Sequence, residues 1–427
     1  MIEALWLLIS TRWLRPLRSR KAIEAAQAKG FARLRQKVMP KSPLYATYAD
    51  RPLSLWPQMN KARMMAEFTQ INTAGMTKEK ALQVALQSEA SRDFSPMIGD
   101  VAVGLSTGTS GQRGLFASNK RERRIWAALM VGRFMPRLWQ RQRVAFFLRA
   151  NNALYETVSN PLIQFSFYDL LEGVEAHIPP LQAQNPTLLI APAQVLARLA
   201  EAQLSGGLHL SPKVVISVAE VLSPEDQALI ERAFQTRVDQ IYQCTEGVLG
   251  MTCRHGSLHL NEGHIHIARD VVDEETGAFC PILTDLARET LPILNYRLDD
   301  VLVPDPRPCP CGSATLRLAR IEGRADDMLY WQGIEGGQRY IPADVLRQVI
   351  ATAGSAIQDY RIHQTGQELL EVWLAAPDFP TAATEVEAGL IALAARMKAR
   401  IPQIKIAQGL PPQTGAKLRR ITAQPSS

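Results

Sequence analysis

The sequence predicts an α/β protein: a large N-terminal domain with mostly parallel sheets plus a small antiparallel region, followed by a small mobile α+β C-terminal domain. Three observations carry this prediction. From Val101 onward, short apolar runs alternate with helical stretches. Those runs are apolar throughout, the pattern of parallel strands buried on both faces. After Gly323-Arg324 the pattern changes to helix, hairpin and helix, enough for a second small domain.

Taken in order, residues 1–50 read as helical and basic, and prolines break the chain after Pro52. The spacing then predicts an amphipathic helix over Lys78 to Ser91, with Leu82, Ala85, Leu86 and Ala90 on one face. Residues 1–95 form a helical preface. Val101 to Leu105 reads as a strand that leads through a glycine-rich loop into a helix. Val144 to Leu148, Thr187 to Ala191, Val214 to Val218 and Val238 to Tyr242 are further strands. A helix starts after Ser223, because Ser223 suits the N-cap, Pro224 the first helical position, and Glu225 and Asp226 the first turn. Alternation between Leu258 and Val303, as in His264-Ile265-His266-Ile267, predicts antiparallel pairing. Beyond it come a helix at 342–353, a hairpin at 360–374 turning at Thr365-Gly366, and a helix at 384–400. The large domain thus spans 1–324 and the small one 325–427.

Composition bounds the function. At 427 residues, with 46% hydrophobic and 21% charged content, the chain has ample core material and no apolar stretch long enough to span a bilayer. The opening Ala4 to Ile9 run is followed, not preceded, by Arg12, Arg15, Arg18, Arg20 and Lys21, the reverse of a signal peptide. It reads as an amphipathic helix packed on its own domain, and the protein as cytoplasmic. A net charge of +7 and a pI near 9.2 favour anionic partners. No nucleic-acid-binding signature is present. The five cysteines lack a secretory context, so disulfides are not expected.

The stretch Ser106, Thr107, Gly108, Thr109, Ser110, Gly111, Gln112, Arg113, Gly114 offers backbone N–H groups and hydroxyls to phosphate. Four further stretches follow it: Tyr242-Gln243-Cys244-Thr245-Glu246, Tyr296 to Asp300, Arg320 to Met328, and Pro412 to Arg420. In this order and spacing they resemble the adenylate-forming superfamily, and in particular its phenylacetate-CoA ligase branch, which includes a deazaflavin adenylyl synthetase. The resemblance runs from about Ser91 to Arg420.

Joining a carboxylate to the α-phosphate of ATP brings two anions together, so cations, a metal and a grip on the nucleotide are required. Glu246 suits Mg²⁺, Thr245 the α-phosphate, and Tyr242 the adenine face. The resemblance implies that Ala219 and Glu220 flank adenine and that Asp300 accepts the ribose hydroxyls. It implies too that Arg324 lies beside ribose or phosphates, that Asp326 is the hinge, and that Lys417 is the adenylation cation. Arg113 stands where the relatives keep another residue after the last glycine, and reads as a phosphate cation. Position 299 holds Asp in place of the usual Gly, and Ala416 replaces a Gly.

Cys253, His259, Cys309 and Cys311 form C-x5-H and C-x-C, three thiolates and an imidazole suited to a tetrahedral structural Zn²⁺. His264 and His266 read as strand histidines or spare ligands, and Cys244 and Cys280 as small core residues. Phe165, Phe167 and Tyr168 stand where relatives shape the acid pocket, and read either as an aryl pocket or as core. The expected activity is ATP- and Mg²⁺-dependent conversion of a carboxylic, aromatic acid to acyl-AMP, then transfer to a thiol of CoA or a phosphopantetheine carrier protein. Adenylyl transfer to an aryl hydroxyl and a non-catalytic nucleotide-binding module stand as alternatives, and a homodimer is left open.

Overall fold

A computed structural model describes residues 2–14, 17–106, 113–149, 151, 155, 159–324, 329–341, 343–353, 357–366, 368–411 and 420–423. The fold is α/β. Its main sheet runs without interruption from a parallel half to an antiparallel half. The parallel half has the order Val238–Cys244, Val214–Val218, Leu188–Ala191, Gln142–Leu148, Ile163–Asp169. From Val238–Cys244 the sheet turns back antiparallel through Gly247–Thr252, Leu258–Leu260, Arg317–Arg324, Asp300–Pro304, Ala278–Asp285 and Ile265–Asp273.

Alternation along the parallel strands assigns side chains to two layers. Ala145, Phe147, Leu189 and Val215 meet Leu196, Leu199 and Ile230 from the helices Ala193–Leu204 and Pro224–Phe234. On the other face Ile216, Val218 and Ile241 meet Leu7 and the helix Lys120–Phe134. That helix starts with a capping box, Asn119 accepting from Glu122 N–H while Glu122 accepts from Asn119 N–H at 2.7 Å. The same Glu122 carboxylate also accepts from the N–H groups of Glu289 and Thr290, so one acid caps a helix and fixes a distant loop.

Two expectations are corrected. The Ser106 to Gly114 loop joins two antiparallel strands, Val101–Leu105 and Leu115–Ser118, and does not run from a strand into a helix. Leu115 and Ala117 are buried, so the chain after Gly114 stays extended, and the helix waits for the Asn119 cap. The Lys78–Ser91 helix has the expected bounds and starts at Thr77, whose side chain accepts from Lys80 N–H. It buries Ala81, Ala85 and Ser88, however, and leaves Leu86 half exposed. Small residues suit a close approach to the sheet, which the larger leucines would prevent.

The helical preface packs on the antiparallel half, where Leu34, Trp56, Met59 and Phe68 join Phe279, Tyr296 and Leu298 in one core. Met59 pairs there like a short strand: its N–H donates to Asn295 O at 2.9 Å and its carbonyl accepts from Arg297 N–H at 2.8 Å. A further core is drawn only from residues 329–423, including Leu329, Trp331, Leu346, Leu370, Val372 and Leu390. It surrounds the sheet Gln403–Gln408, Leu369–Ala375, Asp359–Thr365, Ile421–Ala423. The hairpin register pairs Thr365 with Leu369, as the Thr365-Gly366 turn predicts.

Candidate active site

The carboxyl ends of parallel strands are where open α/β sheets bind ligands, and the strand Val238–Cys244 ends there beside Ala219. Its Tyr242 is buried, and its hydroxyl donates to Asp300 Oδ2 at 2.7 Å. Burial and the Asp300 charge both hold that phenol well above its ordinary pKa, so it remains a donor. Tyr242, the expected aromatic face, and Asp300, the expected diol acceptor, are thus directly hydrogen-bonded to each other. Asp299 introduces no bare charge, because Arg297 bonds both Asp299 and Asp270. Asp300 and Arg324 lie opposite each other in register, although the Arg324 side chain lies outside the described residues.

Glu246 is 4% exposed. Tyr296 donates to its Oε1 and Thr245 to its Oε2, each at 2.8 Å. Burial alone would raise the carboxyl, but the Tyr296 hydroxyl, the Lys61 charge and the Thr245 hydroxyl outweigh it and hold Glu246 below the usual carboxylate range. The result is an ionised, preoriented carboxylate. Its oxygens are hard donors of the kind Mg²⁺ takes, so the residues present fit that ion. Thr245 is fixed from behind, its carbonyl accepting from Arg288 Nη1 at 2.8 Å.

Lys61 carries no motif around it. The pairing of Met59 with Tyr296 brings it here, and its side chain runs past Gly114, where an added Cβ would meet Lys61 Cε at 3.6 Å. It therefore stands between the neck of the glycine-rich loop and Glu246. The one available clue was its place just inside a helix start, with Asn60 capping the helix that begins at Lys61.

Among the other expected residues, the Arg113 guanidinium at the glycine-rich loop pairs with Glu89 and donates to Ser106 O. Ser106 Oγ accepts from Gly114 N–H at 2.7 Å, closing the hairpin neck. Glu220 accepts from Gln194 N–H at 3.2 Å, at the start of the helix Ala193–Leu204. Ala219, at a φ of +62°, stands at the rim of an apolar cavity. Thr107, Gly108, Thr109, Ser110, Gly111, Asp326 and Lys417 lie outside the described residues.

The cavity holds about 100 Å³ and is walled by Trp126, Met130, Phe146, Tyr155, Phe165 and Ile216, with Gln243 at its polar end. Trp126 Nε1 donates to Gln243 Oε1 at 3.0 Å. Of the three expected pocket residues only Phe165 lines it. Phe167 meets Phe94 edge-on, with ring centroids 6.5 Å apart. Tyr168 falls on the opposite face of its strand, as alternation requires, and stacks on Phe147 at 4.7 Å.

Away from this cleft, the ligand atoms of Cys253, His259, Cys309 and Cys311 all lie within 4.8 Å of one another. Cys253 Sγ is 3.7 Å from Cys309 Sγ, and Cys311 Sγ is 3.6 Å from His259 Nε2. Zinc–sulfur bonds of about 2.3 Å in a tetrahedron place two sulfurs about 3.8 Å apart, so the cluster has the edge lengths of a zinc site. His259 Nδ1 lies 3.2 Å from Thr315 O, which fixes the ring with Nε2 inward. His255 N–H and Ser313 N–H donate to Cys253 and Cys311 sulfurs. The thiols form no disulfide. His264 and His266 stand apart from the cluster; His266 lies 3.2 Å from Gln27 Oε1 and against Phe31.

The architecture matches 2-hydroxyisobutyryl-CoA ligase, solved after adenylation with its acyl-AMP, with a TM-score of 0.62 at 14% identity, covering 95% of this chain and 89% of that one. An open form of the same ligase, holding acyl-AMP and CoA, gives a TM-score of 0.61 at 15% identity, covering 95% and 91%. The chain has the adenylate-forming fold. In sequence it is phenylacetate-CoA ligase-like: it is 27% identical over 176 residues to a phenylacetate-coenzyme A ligase of Aromatoleum evansii, covering 38% of this chain and 39% of that protein. The corresponding protein of Thermus thermophilus is 25% identical over 174 residues, with the same coverage. The matched part is thus about two fifths of each curated relative. No protein-family model matches the chain. Within the adenylate-forming fold the Tyr242–Asp300 pair, Glu246 and the apolar cavity share one end of the sheet.

Proposed function

We propose that the protein activates a small carboxylic acid with ATP, releasing pyrophosphate, and passes the acyl group to a thiol of CoA or a carrier protein. The observation that carries this reading is the continuous line from Lys61 through Glu246 to the Tyr242–Asp300 pair, with the apolar cavity opening beside it at Gln243 and Ala219. In this reading the acid's apolar body enters the cavity while its carboxylate meets the α-phosphate at the strand ends. Asp300, oriented by the Tyr242 hydroxyl, accepts from the ribose diol. Thr245 and Lys61 attend the phosphates, where preplaced donors stabilise developing charge. Glu246 would hold Mg²⁺, which supplies charge neutralisation to the leaving pyrophosphate when bound.

A cavity of about 150 Å³ accommodates benzene, so a half-open apolar cavity of about 100 Å³ suits one ring or a short branched chain. This agrees with the aromatic acid that the motifs imply. Lys417 is proposed as the adenylation cation, and residues 325–427 as a body that turns about Asp326; the self-contained core of residues 329–423 supports the second part. Zn²⁺ held by Cys253, His259, Cys309 and Cys311 would have a structural role, because four protein ligands leave no open position. No helix among the described residues is long and apolar enough to cross a membrane, and the proposed compartment is the cytoplasm.

The deciding experiment is pyrophosphate release across a panel of aryl and short branched acids, with and without CoA. Acid-dependent release, followed by a thioester when CoA is added, supports the reading. A stable AMP adduct on an aryl hydroxyl would replace it with adenylyl transfer, and ATP binding without release would replace it with a binding role.

A further inference from the structure

The N-terminal helix Ile2–Ile9 has one charged residue, Glu3, and is otherwise apolar, a pattern unusual for a helix at a protein surface. One side packs inward: Leu7 is buried with Ile125 and Leu129, and Ala4 and Leu8 lean on the same core. The helix packs on its own domain as expected, but its outer side carries apolar residues in place of the polar face of an amphipathic helix. The opposite stripe, at helical spacings of three and four, carries Ile2, Leu5 and Trp6, which are 85%, 58% and 59% exposed. The next segment continues it with Trp13 and Leu14, at 55% and 50%.

A second segment joins this face. The Arg12 guanidinium donates to Met135 O at 2.7 Å and Pro136 O at 3.0 Å, fastening the N-terminal segment to the loop that carries Trp139. Trp139 is 72% exposed. Single exposed apolar side chains are ordinary, whereas six on two joined segments mark an interaction surface. Three of the chain's seven tryptophans lie on it.

The charge around these residues is positive. Arg18 and Lys21 are exposed beside the first segment, and Arg137 and Arg141 flank Trp139. Among the described residues neither Arg137 nor Arg141 has an acidic partner, while the one nearby acid in the first segment, Glu3, is taken by Arg121. Docking against a second copy would set like charges face to face. An anionic lipid surface would meet them with opposite charge, and indole rings settle at the boundary between headgroups and acyl chains.

We propose that this face, with Trp6, Trp13 and Trp139 as its anchors, binds the surface of a membrane rich in anionic lipid. Binding is peripheral, since none of the described helices spans a bilayer. The proposal is independent of the catalytic reading, because the anchors lie outside the residues of the cleft.

The test uses the full chain and vesicles of phosphatidylcholine alone or mixed with phosphatidylglycerol. Co-sedimentation is expected to be roughly tenfold stronger on the anionic vesicles, with a blue shift of tryptophan emission, and to weaken with added salt. The variant Trp6→Ser/Trp13→Ser/Trp139→Ser is expected to lose binding while keeping wild-type circular dichroism and thermal unfolding, since all three rings are exposed. Arg137→Glu/Arg141→Glu should abolish the preference for anionic lipid. Equal sedimentation on both vesicle types, or a triple tryptophan variant that sediments like the wild type, overturns the proposal. A tryptophan-dependent dimer without vesicle binding overturns it too, and assigns the face to a second copy.

Discussion

Glu246 remains charged where burial alone would neutralise it, and the groups responsible come from far apart in the chain: Thr245 beside it, Tyr296 fifty residues on, and Lys61 from the preface. Glu246→Gln keeps the shape and removes the charge, so ATP-dependent pyrophosphate release should fall while the unfolding temperature stays close to wild type. Lys61→Ala should lower the same rate on the order of 10²-fold, the usual effect of removing one preplaced phosphate or oxyanion donor, with Lys61→Arg partly restoring it. A wild-type rate in Lys61→Ala would place the lysine outside the phosphate path. Thr245, Glu246, Tyr242 and Asp300 stand out in the sequence as candidates because each belongs to a short contiguous motif, and the structure brings them together. Lys61 does not, because its closeness to the site depends on a backbone pairing between Met59 and Tyr296, and such long-range pairing leaves no local pattern. The Arg113–Glu89 pair is unreadable for a related reason: Glu89 lies on a helix whose packing the sequence does not reveal.

At the scale of elements, strand and helix positions were readable from apolar runs and caps, as at Val214–Val218 and the Ser223 cap. What was not readable was how a strand end continues. The chain after Gly114 forms a hairpin partner because Leu115 and Ala117 are buried, a tertiary fact. The turn at Cys309 and Cys311 is readable from Pro308, Pro310 and Gly312, and in the structure Gly312 adopts a φ of +77°, while the turn after Cys253 uses Gly256 at +83°. These turns link the strands Gly247–Thr252, Leu258–Leu260 and Arg317–Arg324. Metal analysis of the purified protein should find about one zinc per chain. Cys311→Ser should reduce it to a small fraction and lower the unfolding temperature by several degrees, and a full-length protein without zinc at wild-type stability would remove the site.

On the scale of the whole molecule, residues 329–423 have a core of their own and meet the large sheet where Tyr340 packs on Ala278, Cys280, Val301 and Val303, which predicts that residues 1–324 fold without the rest at some loss of stability. This fragment should bind ATP, measured by calorimetry, and yield no acyl-AMP, because Lys417 is missing from it. Acyl-AMP formation by the fragment at the full-length rate would remove Lys417 from the reaction. Acid sensitivity follows from His264 and His266. Burial lowers both below the ordinary histidine value, so the unfolded chain takes up protons first as pH falls. Their contribution to stability is complete above about pH 6.5 and is lost as pH falls through that value. Asp285, raised by burial, works in the opposite sense at lower pH. Unfolding temperatures measured between neutral and mildly acidic pH should therefore decline, and His264→Asn/His266→Asn should flatten that decline.

The Met59–Tyr296 pairing has a consequence for the life of the protein. A nucleotide seated between Lys61 and Asp300 touches segments that are some 240 residues apart in the chain, so it can bind well only after synthesis has passed the second of them. A nucleotide bound there would hold the preface against the sheet, and by mass action the stabilisation would grow with the logarithm of nucleotide concentration. A cell short of ATP would then clear this protein faster than a well-supplied one. Protease digestion with and without ATP, on chains that never meet a substrate acid, would show that protection directly.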